Sequence, residues 1–270
     1  MAYIELKDVK FQYPGGFLAV DGVSLSIEKG ENLAIVGQNG AGKTTLVKLL
    51  NALNYPTEGE VRIGEMDTRE HTTAQVSRVV GYVFQNPDDQ IFHSTVYEEV
   101  EFGPKMLKLP PEQIKRQVDD ALKLTGMKRF ARENPFNLPL SVRKFVTIAS
   151  IIAMNCEVMV FDEPTAGQDF VGNERLSAII KELSARGKTL VTISHDMVFV
   201  GDNFSRVIVM SNKKVIADGS PREIFWNLPV LDEAMLKQPY VSRVCRALGI
   251  DEKVISMDEA AEAIVRAAKA

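Results

Sequence analysis

The chain opens on two stretches in which apolar and polar residues alternate, "YIELKDVKFQY" (3–13) and "VDGVSLSIEKG" (20–30). A period of two puts one face of a strand on a core and the other in water, so both predict half-buried strands. The next apolar run, "NLAIVG" at Asn32 to Gly37, lacks that alternation and ends in glycine. It predicts a strand buried on both faces, followed directly by a helix. "GEVRIG" (59–64) and "VVGYVF" (79–84) are again strand-like. The spacing turns helical at Tyr97 to Leu107 and at Pro111 to Thr125, the second led by prolines and charged along one face. After the apolar run "FVTIASIIAM" (145–154) come "EVMVF", "TLVTIS" and "RVIVM", short apolar segments separated by helical or polar stretches. That rhythm belongs to a parallel sheet with crossover helices, so the predicted core is α/β with a mostly helical middle.

From about Pro221 the pattern changes to short amphipathic pieces, "PREIFWNL", "PYVSRVCRALGI" and "MDEAAEAIVRAAKA", punctuated by Pro229 and Pro239. The expected organisation is one large domain over residues 1–220, its helical part at about 86–155, and a helical extension over 221–270. An extension of that size buries little core alone. The sequence has no internal repeat and no sustained heptad, which argues against a long coiled coil.

Composition narrows the class. The 270 residues are 45% hydrophobic and 25% charged, with a formal net charge of -4. This is a globular composition without the electrostatic footprint of a phosphate-backbone binder, so no nucleic-acid partner is expected. Cys156 and Cys245 are the only cysteines; their spacing fits neither a zinc site nor a disulfide framework, and both read as buried small hydrophobes in a reducing compartment. Acids stand among the first eight residues, which no signal peptide allows. The longest apolar stretch, Phe145 to Met154, falls short of the ~20 residues that span a bilayer. The expected location is therefore cytoplasmic, with any membrane role exercised through a partner.

Chemistry enters with "GQNGAGKTT" at Gly37 to Thr45, which satisfies G-x-x-x-x-G-K-[ST] between an apolar strand and a helix. Gly37, Gly40 and Gly42, with Asn39 and Ala41 among them, let the backbone curl so that its N–H groups and the helix N-terminus face phosphates. Lys43 is placed to reach β- and γ-phosphates, Thr44 to ligate Mg²⁺, and Thr45 completes the motif. "EVMVFDEPTAGQD" (157–169) sets Asp162 and Glu163 at the end of a buried strand, where two acids cost desolvation unless a cation or proton offsets it. Mg²⁺ on Asp162 supplies the offset, and Glu163 then orients and deprotonates an attacking water. His195 follows "TLVTIS" at the carboxyl end of a strand, where open α/β sheets carry active residues, and reads as a γ-phosphate contact. Gln85 ends another strand on the same side and can reach water or metal with its amide. Tyr13, just after the first strand, offers a ring to adenine or else packs as a strand-end tyrosine. The cofactors implied are ATP and Mg²⁺.

In this order and at these separations, Tyr13, "GQNGAGKT", Gln85, "VMVFDEPTAGQD" and "SHD" (194–196) resemble the nucleotide-binding subunit of ABC transporters over essentially the whole chain. "VFQNPDDQIFHSTVYEEVEFGP" and the tail from "GSPREIF" onward look like the ATPases of energy-coupling-factor importers of cobalt and vitamins. The resemblance implies a P-loop ABC ATPase fold with an antiparallel β subdomain, a helical subdomain and a C-terminal helical extension that helps join two ATPase subunits. It implies a membrane-embedded coupling subunit facing Pro87 to Phe92, Gln90 included, and a separate substrate-binding membrane subunit for a vitamin or transition-metal ion. It further implies a dimer with a second ABC ATPase subunit, homo- or heterodimeric, closing on two ATP molecules. Each ATP is held by the phosphate loop of one chain and the signature loop of the other.

The signature, L-S-G-G-Q in that family, is where this chain departs. Aligned by distance to Asp162, Leu138, Pro139, Leu140, Ser141 and Val142 stand against it, and the serine is exchanged for a proline with neither hydroxyl nor N–H. Sliding two residues matches Leu140 and Ser141 to L-S instead. Either register loses both glycines, which hinders backbone approach to a phosphate. Gln168, where the family usually has leucine before the aspartate, is a second departure on the same interface. By pattern alone, "LSVRKFVTIASIIAM" is a helix capped by Ser141. The expectation is a weak signature beside an intact phosphate loop, Glu163 and His195, hence an asymmetric heterodimer whose partner supplies the good signature. Two readings compete: a regulator that binds ATP with little hydrolysis, opposed by the retained Glu163 and His195, and a soluble ABC ATPase of translation or repair, opposed by the lack of tandem cassettes or long inserted helices.

Overall fold

The computed structural model describes residues 2–250 and 252–269. Met1, Asp251 and Ala270, which the expected domain ranges include, lie outside the described residues. β1 (Ala2–Gln12) and β2 (Leu18–Glu28) pair antiparallel, as their alternation predicts. The alternation slips once: Leu6 and Val9 both face the core because the register shifts between them, where Asp8 takes a φ of 47°. β3 (Asn32–Val36) leads into α1 (Lys43–Leu50), and β4 (Glu58–Ile63) and β5 (Met66–Asp67) complete a first sheet in the order β2-β1-β4-β5.

After the single capped turn α2 (Thr73–Val76) and strand β6 (Val80–Val83) comes a helical layer, α3 (Val96–Met106), α4 (Pro111–Leu124) and α5 (Leu140–Met154). β7 (Val158–Asp162), α6 (Phe170–Ala185), β8 (Thr189–Ile193), α7 (Met197–Asn203), β9 (Arg206–Ser211) and β10 (Lys214–Gly219) follow. The second sheet runs β10-β9-β3-β8-β7-β6, parallel throughout except for the antiparallel edge strand β10. Apart from the edge strand β10, its strands are nearly continuous apolar runs because both faces are covered. Val160, Val191 and Ile193 pack toward α1 and the first sheet, whereas Met159, Phe161 and Leu190 pack toward α3 to α6.

The start of α5 corrects the sequence reading. The helix begins at Leu140, and its N-cap is Pro139 with no capping side chain, so Ser141 lies inside the first turn. The ring fixes Pro139 near φ -56° with extended ψ, and its carbonyl accepts from Val142 and Arg143 N–H, both at 2.9 Å. With the first helical bonds closed on Pro139, no capping position remains for Ser141.

The first part of the tail packs into this core. In α8 (Pro221–Phe225) and α9 (Leu228–Glu233), Ile224, Phe225 and Leu231 join the cluster under α3 to α7; burying a side chain such as Phe225 stabilises by about 1.5–3 kcal/mol. Ser211 Oγ at the end of β9 donates to the carbonyl of Glu233, 3.0 Å away. Beyond these, α10 (Tyr240–Ala247) and α11 (Met257–Lys269) enclose a separate small cluster of Cys245, Ile250, Val254, Ala260 and Ala263. Both cysteines are free and buried, and burial pushes the Cys156 thiol up to about 11. No helix among the described residues is long and apolar enough to cross a membrane.

Candidate active site

Four adjacent parallel strands, β3, β8, β7 and β6, end on the same side of the second sheet, and each delivers a residue there. β3 feeds the loop from Gly37 to Gly42. Gly37, Gly40 and Gly42 all have positive φ, and at two of them glycine is also a matter of space. A Cβ on Gly37 would lie 2.1 Å from the Met210 carbonyl oxygen, and one on Gly42 2.3 Å from that of Ala19. The loop is thus clamped between β9 and β2. Gly42 is the N-cap of α1 with no side-chain cap, which leaves the N-terminal N–H groups of the helix for an anion.

Lys43 is buried and folds back: its Nζ donates to the Gly37 carbonyl at 2.7 Å and the Gln38 carbonyl at 3.0 Å. Burial lowers its pKa while Glu163 and Asp162 pull it back up. Thr44 Oγ1 donates to Asp162 Oδ1 at 3.3 Å, and the hydroxyl of Tyr82 donates to Oδ2 at 2.7 Å. Asp162 is only 2% exposed. Burial raises its pKa, against the hydrogen bonds from Tyr82 and Thr44. Thr44 and Asp162 form a pair of hard oxygen donors beside the phosphate loop, which fits Mg²⁺, an ion that takes one or two protein oxygens and completes its shell with water and phosphate.

Glu163 takes a left-handed φ of 50° at the end of β7. Its Oε1 lies 2.9 Å from His195 Nε2, and its Oε2 accepts from Gln85 Nε2 at 3.1 Å. The three strand-end residues chosen from the sequence therefore meet on one carboxylate. Gln85 reaches this carboxylate and not Asp162, so of the three residues expected at Mg²⁺, Thr44 and Asp162 touch each other and Gln85 stands across Glu163.

Tyr13 stands at the other end of a cleft of about 470 Å³ that Asn39, Gly40, Gly42, Thr44, Thr45 and Glu163 also line. Its hydroxyl is 3.1 Å from Thr45 Oγ1, and its ring packs edge-on against Phe11 and stacks with the exposed Phe17 at 6.4 Å. Ala41 is buried beneath the loop.

Three participants escape the sequence reading. Phe17 pairs with Tyr13, Tyr82 orients Asp162, and the buried Lys144 donates to the carbonyls of Glu163 and Ala166. Two carried a signal: a tyrosine within a buried strand needs a hydroxyl partner, and a lysine at the head of an apolar helix needs acceptors. Gln90 differs from its grouping with Phe92. Its carboxamide turns inward, accepting from Phe84 N–H at 3.2 Å and donating to Thr147 O at 3.3 Å and Ser150 Oγ at 3.1 Å, while Phe92 is exposed.

The family described as ABC transporter matches residues 20–166. The chain belongs to this family. As an ABC ATPase it binds and hydrolyses ATP, and its two-sheet P-loop architecture is the expected one. It is 38% identical over 256 residues to the energy-coupling factor transporter ATP-binding protein EcfA of Methanocaldococcus jannaschii, covering 94% of this chain and 92% of that one. An ABC transporter ATP-binding protein of Caldanaerobacter subterraneus is 39% identical over 246 residues, 91% of this ABC ATPase but only 43% of the longer relative. Among solved structures, CbiO1 of Clostridium perfringens, part of the ABC transporter complex CbiONQ, superposes with a TM-score of 0.78 at 30% identity, covering 92% of this chain and 99% of that one.

Proposed function

We propose that this ATPase powers an energy-coupling-factor type importer of a vitamin or transition-metal ion. It would sit on the inner face of the cell membrane through a coupling subunit, with a separate membrane subunit binding the solute. The observation that carries the reading is the groove that Gln90 and Phe92 help to line. Phe92, 62% exposed, stands over a groove of about 520 Å³ walled by Phe102, Met106 and Met154 from α3 and α5. The ring is held out on a fixed support, because buried Glu99 Oε2 accepts from Phe92 N–H at 3.1 Å and His93 N–H at 3.0 Å. An apolar ring presented this way suits docking by another protein, and the chain from Phe92 back to Gln85 leads to Glu163. The likeness to EcfA and to CbiO1 supports the same reading.

In this reading the mouth formed by Tyr13 and Phe17 takes the adenine, and Lys43 exchanges the Gly37 and Gln38 carbonyls for β- and γ-phosphate oxygens. Thr44 and Asp162, with Gln85 nearby, would hold Mg²⁺, which would supply positive charge to the phosphates. Glu163 takes the proton of the attacking water, and His195 turns from Glu163 toward the γ-phosphate.

Phe92→Ala tests the coupling role. MgATP binding is expected to stay as in the wild type, while association with the coupling subunit weakens about 30-fold, the ~2 kcal/mol of an interface anchor. Uptake into vesicles falls with it. Normal assembly and uptake would remove this groove from the coupling interface.

Asymmetry between two ATPase subunits is the second part of the proposal, and the start of α5 supports it. Pro139 caps without a donor, and Leu140, which stands at a glycine of the signature when the register is counted from Asp162, is 52% exposed. Within a heterodimer, replacing Pro139 and Leu140 together should change steady-state phosphate release by less than about threefold, since little transition-state stabilisation is left to lose. The chain alone should turn over slowly, because both of its composite sites would carry the weak signature. A collapse of activity in the double variant, or robust hydrolysis by the homodimer, would show that this loop serves as a signature after all.

A further inference from the structure

We infer that Lys144 is a positioning residue for hydrolysis: from α5 it grips the peptide of Glu163 within the same chain and thereby aims the Glu163 carboxylate. The inference rests on the reading of Glu163 as the water-activating acid. Lys144 is 3% exposed, and its Nζ donates to the Glu163 carbonyl at 2.8 Å and to the Ala166 carbonyl at 3.2 Å. An ammonium removed from water costs several kcal/mol, and here its two hydrogen-bond acceptors are main-chain carbonyls. Burial lowers the Lys144 pKa, and Glu163 and Asp162 oppose that fall.

What the lysine holds is a strained turn. Glu163 is not glycine, yet takes φ 50°, a conformation that costs about 1–2 kcal/mol and persists only where the surroundings fix it. Its N–H donates to the Ile193 carbonyl at 3.0 Å, and its carbonyl accepts from Ala166 N–H at 3.2 Å. Lys144 takes the same carbonyl and the carbonyl of Ala166, so it spans both ends of the turn.

A second tie runs parallel to the first. Gln168 Nε2 donates to the Ser141 carbonyl at 3.0 Å, and Gly172 leaves the room for it, since a Cβ there would lie 2.3 Å from Gln168 Oε1. Ser141 and Lys144 are three residues apart and share a helix face. One face at the start of α5 therefore holds residues 163 to 168 at both ends. None of these contacts touches the phosphate loop, and Glu163, which lines the cleft, is held here through its main-chain carbonyl and not through its carboxylate, so losing them should cost rate and spare nucleotide affinity.

The test measures steady-state phosphate release and equilibrium MgATP binding by the full chain, expressed and purified together with the other subunits of its transporter. Lys144→Met should lower kcat about 10- to 50-fold, with KM and equilibrium MgATP binding within about threefold of wild type. Lys144→Gln, which keeps a donor, should fall in between. In a Glu163→Gln background Lys144→Met should have no further effect on residual hydrolysis, since there is no base left to aim. A kcat within about twofold of wild type, a loss carried by KM, or an equal loss in the Glu163→Gln background would overturn the inference. If Lys144→Met fails to fold, the same comparisons are made with Lys144→Gln. Wild-type turnover in Glu163→Gln alone would overturn the parent reading, and this inference with it, whereas a dead Glu163→Gln beside a fully active Lys144→Met would sink only the inference.

Discussion

Glu163→Gln is expected to keep MgATP binding and to lose about 100-fold or more of its turnover, roughly 2.7 kcal/mol of transition-state stabilisation. The substitution preserves size and leaves an oxygen for one of the two contacts that the carboxylate now makes, to His195 Nε2 at 2.9 Å and Gln85 Nε2 at 3.1 Å. What it removes is the capacity to take a proton from water. Because Asp162 is turned to Thr44 and Tyr82, no neighbouring carboxylate on this strand end is free to substitute. Phosphate release at saturating nucleotide, set beside equilibrium binding of a fluorescent ATP analogue, checks both halves. Hydrolysis near the wild-type rate would reject Glu163 as the base.

Lys43→Ala should weaken MgATP binding by about 30-fold or more and remove most hydrolysis, the size expected when charge-assisted hydrogen bonds to phosphate are lost at about 1.5–3 kcal/mol each. The contacts that Lys43 now makes, to Gly37 and Gln38 carbonyls, are neutral–acceptor bonds that phosphate oxygens outcompete. The lysine is thus parked within the loop, beside the place where it is needed. In a heterodimer this variant should be far more damaging than the paired change of Pro139 and Leu140. Isothermal titration and phosphate release on one preparation would measure both; wild-type affinity and rate together would rule out phosphate binding by this lysine.

The sequence announces the strand-end chemistry because periodicity locates strand ends, and a parallel sheet sends those ends to one edge. Gly37 to Thr45, Gln85, Asp162, Glu163 and His195 could be chosen from their places after β3, β6, β7 and β8. What escaped depends on partners distant in the chain. Tyr82 meets Asp162 across 80 residues and Gln90 meets Ser150 across 60; the window around Tyr82 shows that a hydroxyl needs a partner without naming it, and nothing around Gln90 tells a buried amide from an exposed one. Ser141 was a reasonable cap by residue type, yet Pro139, two residues earlier, already had the required backbone angles. The slip at Asp8 hides for a related reason: a bulge shifts the register by one residue without interrupting the apolar count.

Two neighbouring residues at the end of β9 link the tail to the phosphate loop. The carbonyl of Met210 forms the wall against which Gly37 is fitted, and the hydroxyl of Ser211 grips the carbonyl of Glu233. A force on the helices beyond residue 220 reaches β9 one peptide unit from the loop that holds phosphate. The tail and the phosphate loop thus bear on adjacent residues of one strand, so a shift of β9 at Met210 and Ser211 moves the wall of the loop and the seat of the tail together.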